Sequence, residues 1–203
     1  MSSFTCPCEM SVEIDVPDLI DLDTMSVWLD RISSGDVITG KCGSCGSVIQ
    51  PEVALRIKWP SKQVDLLVLP ELERISVYRG KCKVENPTEI VIGYPELIER
   101  IRILRDGLDP QACEIMKLYI YAQAETQVPE AQLVVLYHAL HDGHLEFRIL
   151  GMKAGQTGIL RLPLSSYERA QKQKKNLDKR LKELLSGSYR SVRTIGFMED
   201  YQD

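Results

Sequence analysis

Two short cysteine clusters constrain this chain more than any other stretch: Cys6-Pro7-Cys8 and Cys42-Gly43-Ser44-Cys45. A structural zinc takes soft thiolate ligands in a tetrahedron, commonly as two pairs presented by tight turns. A Cys-x-x-Cys turn aims two sulfurs at one ion, and Gly43 and Gly46 allow the positive φ angles such a knuckle uses. Cys6-Pro7-Cys8 is one residue shorter, so its sulfurs must chelate at a tighter angle, and Pro7 stiffens that turn. The interval from Cys8 to Cys42 exceeds ordinary ribbon spacing, which places folded structure between the halves. Cys6, Cys8, Cys42 and Cys45 therefore read as the four ligands of one structural zinc. Two other readings stay open: free thiols in two turns, or a thiol or redox enzyme at Cys42 and Cys45. A thioredoxin-type pair belongs at the start of a helix after a strand, whereas residues 48–59 read as strand.

The two clusters and the helix between them resemble the bacterial CpXC domain. Three later segments extend the likeness: Asp65-Leu66-Leu67-Val68-Leu69-Pro70, Tyr94-Pro95-Glu96-Leu97-Ile98-Glu99-Arg100-Ile101, and Gly107-Leu108-Asp109 leading to Ile115-Met116-Lys117. The resemblance covers roughly residues 4–122. The family pattern is Cys-Pro-any-Cys, and here one residue is missing from it. What the resemblance implies is a zinc site and a fold; it implies no reaction.

Composition narrows the class. Hydrophobic content of 44% and charged content of 27% over 203 residues fit a soluble globular chain of one generous domain or two small ones. A net charge of −4 gives no global reason for nucleic-acid binding. The amino terminus lacks the basic start and apolar core of a signal peptide, and no apolar run approaches the ~20 residues of a membrane span. Six cysteines in such a chain point to a reducing cytoplasm, where paired cysteines more often hold metal than form disulfides. Cys113 reads as a small buried helix residue, and Cys82 as a substitute ligand at most.

Along the chain, residues 11–16 alternate as a strand, 25–32 form a short capped helix, 37–41 a strand into the second cluster, and 48–59 a strand out of it. A nearly continuous apolar run over 64–69 reads as a buried strand. Helix and strand signals compete over 72–84, with strand favoured at 74–78; a further short strand is expected at 89–92. Pro95 opens a helix ending at Gly107, and Asp109-Pro110 opens a central one reaching about residue 126. Beyond residue 128, strands at 133–140 and 145–150 flank Asp142-Gly143, a tight-hairpin signal. A loop at 151–158, a strand at 159–163 and a long helix over 165–185 follow. Ser165 and Glu168 stand in capping-box relation at its start.

Other candidates are weaker. His138, His141 and His144 cluster near Asp142, but a hairpin turns His138 and His141 to opposite faces, so they read as solvent-facing residues and not a second metal site. The helix at 165–185 is basic on a negative chain, which keeps a nucleic-acid-binding zinc ribbon as an alternative. The glycines at 151–158 lack the Gly-Lys-Ser/Thr ending of a phosphate loop.

The expected architecture is α+β: a zinc-ribbon-like β unit with an inserted helix, two central helices, then a β hairpin and a long amphipathic C-terminal helix. Residues 1–126 form the CpXC-like domain and 127–203 a small α+β extension. The expected role is a cytoplasmic, non-catalytic, zinc-stabilised interaction module with a protein partner of unknown identity and no membrane contact.

Overall fold

The computed structural model describes residues 1–85, 88–129 and 131–195. The chain divides into two compact units, Met1–Ile98 and Glu99–Asp203.

The first unit opens with two hairpins separated by a strand and a helix. Strands β1 (Ser2–Thr5) and β2 (Ser11–Ile14) pair antiparallel, with Ser2 opposite Ile14 and Thr5 opposite Ser11. Strand β3 (Leu19–Asp21) leads to helix α1 (Val27–Ser34), which buries Trp28 and Ile32 and stops at Gly35 in the left-handed conformation. Strands β4 (Gly40–Lys41) and β5 (Val48–Ile49) form the second hairpin. The run expected over 48–59 is thus broken in two, its second part being β6 (Leu55–Trp59). Then come β7 (Val64–Leu69), helix α2 (Arg74–Tyr78) and β8 (Glu89–Ile92).

Four strands make a mixed sheet in the order β3-β6-β7-β8. The outer pairs run parallel and the middle pair antiparallel. Ile20, Ile57, Leu66, Val68 and Ile90 are buried, as alternation along half-buried strands requires. The strand expected at 74–78 is helix α2. Its β-branched and aromatic residues suit a strand locally, but Arg74 is fastened elsewhere. Its guanidinium pairs with Glu71 three residues back, at 2.5 Å, and with the buried Glu96 at 2.8 Å. Those two anchors hold Arg74 and the turn around it helical. The division between the units falls within helix α3 (Gly93–Arg105).

The second unit centres on helix α4 (Pro110–Glu125), apolar most of the way round as expected. Asp109 caps it by accepting from the Gln111 N–H at 2.8 Å, with Pro110 at the first position. Strands β9 (Val134–His141), β10 (His144–Lys153) and β11 (Gln156–Pro163) form an antiparallel sheet in the order β11-β10-β9. Asp142 and Gly143, at φ 48° and 70°, make the tight turn their dipeptide predicts. The glycine-rich 151–158 is a second hairpin, not a loop: β10 and β11 pair through it to Lys153 opposite Gln156.

The long helix expected over 165–185 is two helices, α5 (Leu164–Gln173) and α6 (Lys179–Leu184). Asp178 divides them, because its carboxylate accepts from the Leu181 N–H at 2.9 Å and so starts a fresh helix. The capping box does not form either. Pro163 occupies the N-cap position, and the Leu164 N–H bonds the Gly143 carbonyl at 2.8 Å, so Ser165 already lies inside the first turn.

An ionic group lies buried in this unit. Lys117 Nζ stands 2.8 Å from Glu99 and 2.7 Å from Glu114, all three nearly free of solvent. The other Glu99 oxygen accepts from the Tyr137 N–H at 2.6 Å, and the other Glu114 oxygen from the Val192 N–H at 2.9 Å. One lysine thus ties α3, α4, the free edge of β9 and the segment after α6.

Candidate metal centre

Each cysteine pair sits in the turn of one of the two small hairpins. In the β4–β5 turn the Cys42 N–H bonds the Ser47 carbonyl at 2.8 Å, and the Gly46 N–H bonds the Cys42 carbonyl at 2.9 Å. Gly46 takes the left-handed conformation at φ 75°, and Gly43 does not. The β1–β2 turn is the same device one residue shorter. There the Cys6 N–H bonds the Met10 carbonyl at 2.9 Å, and the Glu9 N–H bonds the Cys6 carbonyl at 2.8 Å. Glu9, at φ 68°, occupies the position of Gly46. The residue missing from the first motif is therefore absorbed by the loop, and both pairs still present their sulfurs together.

All four sulfurs lie within 4.8 Å of one another. Cys6 Sγ is 3.6 Å from Cys45 Sγ, and Cys8 Sγ is 3.6 Å from Cys42 Sγ. Sulfurs bound at ~2.3 Å to one zinc stand ~3.8 Å apart along the tetrahedron edges. A disulfide would bring a pair to ~2.0 Å, so the spacing fits a shared ion and not a bridge. Among the described residues this is the one group of cysteine, histidine or acidic side chains that could hold a metal. Cys82 and Cys113 lie outside it. Burial pushes the Cys113 thiol up, the nearby Glu99 and Glu114 adding to the effect, as befits an inert buried cysteine.

A CpXC protein family model matches residues 4–117, more than half of the chain. The chain belongs to the CpXC family. A protein of Treponema pallidum (strain Nichols), described as uncharacterized, is 26% identical over 215 residues, covering 96% of this chain and 98% of that one. No solved structure matches.

The CpXC cluster is asymmetric. Cys6 and Cys42 are buried, whereas Cys8 and Cys45 are exposed. Backbone N–H groups point at the sulfurs from within each turn: Cys8 at Cys6, Met10 at Cys8, Cys45 and Ser44 at Cys42, and Ser47 at Cys45. Such donors favour the thiolate. At Cys45 the Ser47 hydroxyl, 3.2 Å away, and then its N–H bring the thiol down to about 6. The N–H groups of Cys45 and Ser44 likewise lower Cys42. At Cys6 the Cys8 N–H acts downward, but burial and protons shared with Cys8, Cys45 and Cys42 push the thiol up to about 12. Cys8 is also raised: the Met10 N–H and Cys6 act downward, and Cys45, burial and Cys42 outweigh them. The four thiols titrate as one interacting set, and a metal bound to them displaces whatever protons the set holds.

What brings the hairpins together is a contact between β2 and β4. A β-carbon on Gly40 would lie 2.6 Å from Ile14 Cγ1, which is buried. Neither Gly40 nor Glu9 nor Ser47 announces itself as part of a site in the sequence. The one available hint is Ser47, two residues beyond a ligand and able to reach it.

The remaining candidates fall elsewhere. His141 and His144 face each other across the β9–β10 turn, and His138 lies between Arg102 and Arg148. The basic residues of 165–185 are spread over α5, α6 and the turn between them, where Lys174 pairs with Asp109. No helix of the described residues is long and apolar enough to cross a membrane.

Proposed function

We propose that this CpXC chain is a non-catalytic interaction module whose zinc-ribbon-like amino-terminal half is held together by one structural zinc on Cys6, Cys8, Cys42 and Cys45. The observation that carries this reading is the approach of four sulfurs, two from each hairpin, to within 4.8 Å. Soft thiolates in a tetrahedral set suit zinc better than a hard cation. Four protein ligands leave no open position for water, so the ion serves the fold and not hydrolysis. Metal on such a set contributes on the order of 10 kcal/mol to folding. That contribution suits hairpins as short as β1–β2 and β4–β5, which are marginal without an added staple.

The test is metal content per chain on freshly purified protein, repeated with Cys6→Ser and Cys45→Ser. One zinc per chain, lost in both variants, supports the reading. Absence of metal from freshly purified protein, or retention in both variants, refutes it. Iron in place of zinc, visible by its colour, would overturn the identity of the ion while leaving the four-sulfur site.

A further inference from the structure

Two close sulfur contacts in the cluster cross from one hairpin to the other. Cys6 Sγ lies 3.6 Å from Cys45 Sγ, and Cys8 Sγ lies 3.6 Å from Cys42 Sγ. Burial divides both pairs in the same way. Cys6 is buried and Cys45 exposed; Cys42 is buried and Cys8 exposed. Each pair thus offers one sulfur to a small solute and keeps a second, shielded sulfur beside it. The partners stand 39 and 34 residues apart in the chain.

Resting on the four-sulfur zinc reading above, we propose that the cluster has a second covalent state: hydrogen peroxide converts it to two disulfides, Cys6–Cys45 and Cys8–Cys42, which replace the ion as the staple between the hairpins. Thiolate oxidation follows exposure, so attack begins at Cys8 or Cys45. The exposed sulfur takes one peroxide oxygen, the O–O bond breaks, and a sulfenic acid forms as hydroxide leaves. The buried partner 3.6 Å away then attacks that sulfur; the S–S bond forms, the S–O bond breaks, and a second hydroxide leaves. Two protons from solvent make both hydroxides water, so each disulfide gives two electrons to one peroxide. A second peroxide oxidises the other pair in the same way. Neither sulfur of a disulfide keeps the thiolate charge that ligation needs, so the oxidised cluster releases its metal.

Backbone and packing favour bonds between the hairpins over bonds within a turn. A Cys6–Cys8 bridge would close a ring around Pro7, whose fixed φ opposes the roughly 90° dihedral of a disulfide. In the second turn the N–H groups of Cys45 and Ser44 point at Cys42, and that of Ser47 at Cys45, which holds both sulfurs toward the shared centre. The contact of Gly40 with Ile14 keeps the opposite hairpin within reach once the ion has gone. The bridges close long loops, and that constraint on the unfolded chain lets the staple outlast the metal. Cys82 and Cys113 lie outside the cluster and take no part.

The experiment treats the zinc-loaded full chain with hydrogen peroxide, reads metal release with a chromophoric chelator, and maps disulfides by mass spectrometry of an unreduced tryptic digest. Cleavage after Arg31, Lys41 and Arg56 puts Cys6 and Cys8 on the peptide 1–31, and Cys42 and Cys45 on the peptide 42–56. A covalent pair of these peptides therefore marks bonds between the hairpins, and its fragmentation assigns the sulfurs. The expected result is complete zinc release and loss of four alkylatable thiols, with 1–31 joined to 42–56 and Cys82 and Cys113 still free. Dimedone, which captures sulfenic acid, labels Cys8 or Cys45 and spares Cys6 and Cys42. Dithiothreitol followed by added zinc restores the starting state. Zinc held in the presence of peroxide, bonds confined within either peptide, Cys6–Cys42 with Cys8–Cys45, or sulfinic acid without disulfide would each overturn the proposal. A chain that purifies without metal refutes the zinc reading alone, because the peptide map of that same chain after peroxide still decides the pairing.

Discussion

Gly40 lies flush against Ile14: a β-carbon at Gly40 would come within 2.6 Å of Ile14 Cγ1 and 3.1 Å of Val12 Cγ1. Both neighbours are buried, so neither swings away freely. Because β2 follows the first cysteine pair and β4 precedes the second, this contact sets the distance between the two halves of the cluster. Gly40→Ala is expected to cost about 1–3 kcal/mol by overpacking and to speed loss of metal to a chelator. Trimming Ile14 to Ala in the same chain returns part of both losses. Denaturant unfolding and chelator competition on the single and double variants check it; additive losses would contradict the contact.

Glu9 holds a left-handed conformation that costs an ordinary residue ~1–2 kcal/mol. Glu9→Gly is expected to stabilise the metal-loaded chain by up to about 1 kcal/mol, the gain being reduced by added freedom in the unfolded chain. Glu9→Val, with branching at the β-carbon, is expected to destabilise it by about 1–2 kcal/mol. Chemical unfolding of the three proteins gives the order directly, and a Val variant as stable as the Gly variant would contradict the shortened-turn geometry.

Ser47 places its hydroxyl 3.2 Å from Cys45 Sγ. Loss of such a supporting hydrogen bond typically lowers metal affinity 10–100-fold, so Ser47→Ala is expected to weaken zinc by roughly tenfold. Competition with a chromophoric chelator measures this, and Ser47→Thr, which keeps the hydroxyl, should restore most of it.

The buried Glu99–Lys117–Glu114 group gives stability a pH dependence with a definite sign. Burial, only partly offset by Lys117, pushes Glu99 up to about 7 from an ordinary 4.5, and Glu114 adds to the rise. The folded state therefore holds the proton more tightly than the unfolded chain. Its contribution is complete below about pH 4.5 and is lost as pH rises through about 7. Relative to Glu99→Gln, the natural chain should lose stability with pH across that window, by at most about 1.4 kcal/mol per pH unit. Unfolding measured at several pH values tests the slope, and parallel curves would contradict it. Lys117→Met strands two buried carboxylates and is expected to cost about 3–5 kcal/mol.

Much of the fold is legible in local sequence. The apolar runs of β7 and β8, the Asp109-Pro110 start of α4 and the Asp142-Gly143 turn each carry their signal within a few residues. Strand β1 does not: Ser2–Thr5 is polar and mostly exposed, and only its pairing with β2 makes it a strand. Helix α2 depends on Glu96, far along the chain, and the break between α5 and α6 depends on a cap at Asp178 that an uninterrupted apolar stripe conceals.

The candidate site is legible in its ligands and silent in its supports. Four cysteines in two clusters announce themselves, and the structure brings those four sulfurs together. The sign of φ at Glu9 and the need for a bare Gly40 arise from turn closure and from packing on Ile14, neither of which a local pattern encodes. His138 reads as an exposed hairpin residue until a bulge in β9 turns it between Arg102 and Arg148.

X-ray absorption at the zinc edge on the purified chain tests most directly whether both hairpins serve one ion. Four sulfur neighbours at ~2.3 Å, falling to three with one lighter ligand in Cys8→Ser, is the predicted result. A first shell of nitrogen or oxygen, or one that Cys8→Ser leaves unchanged, would contradict it.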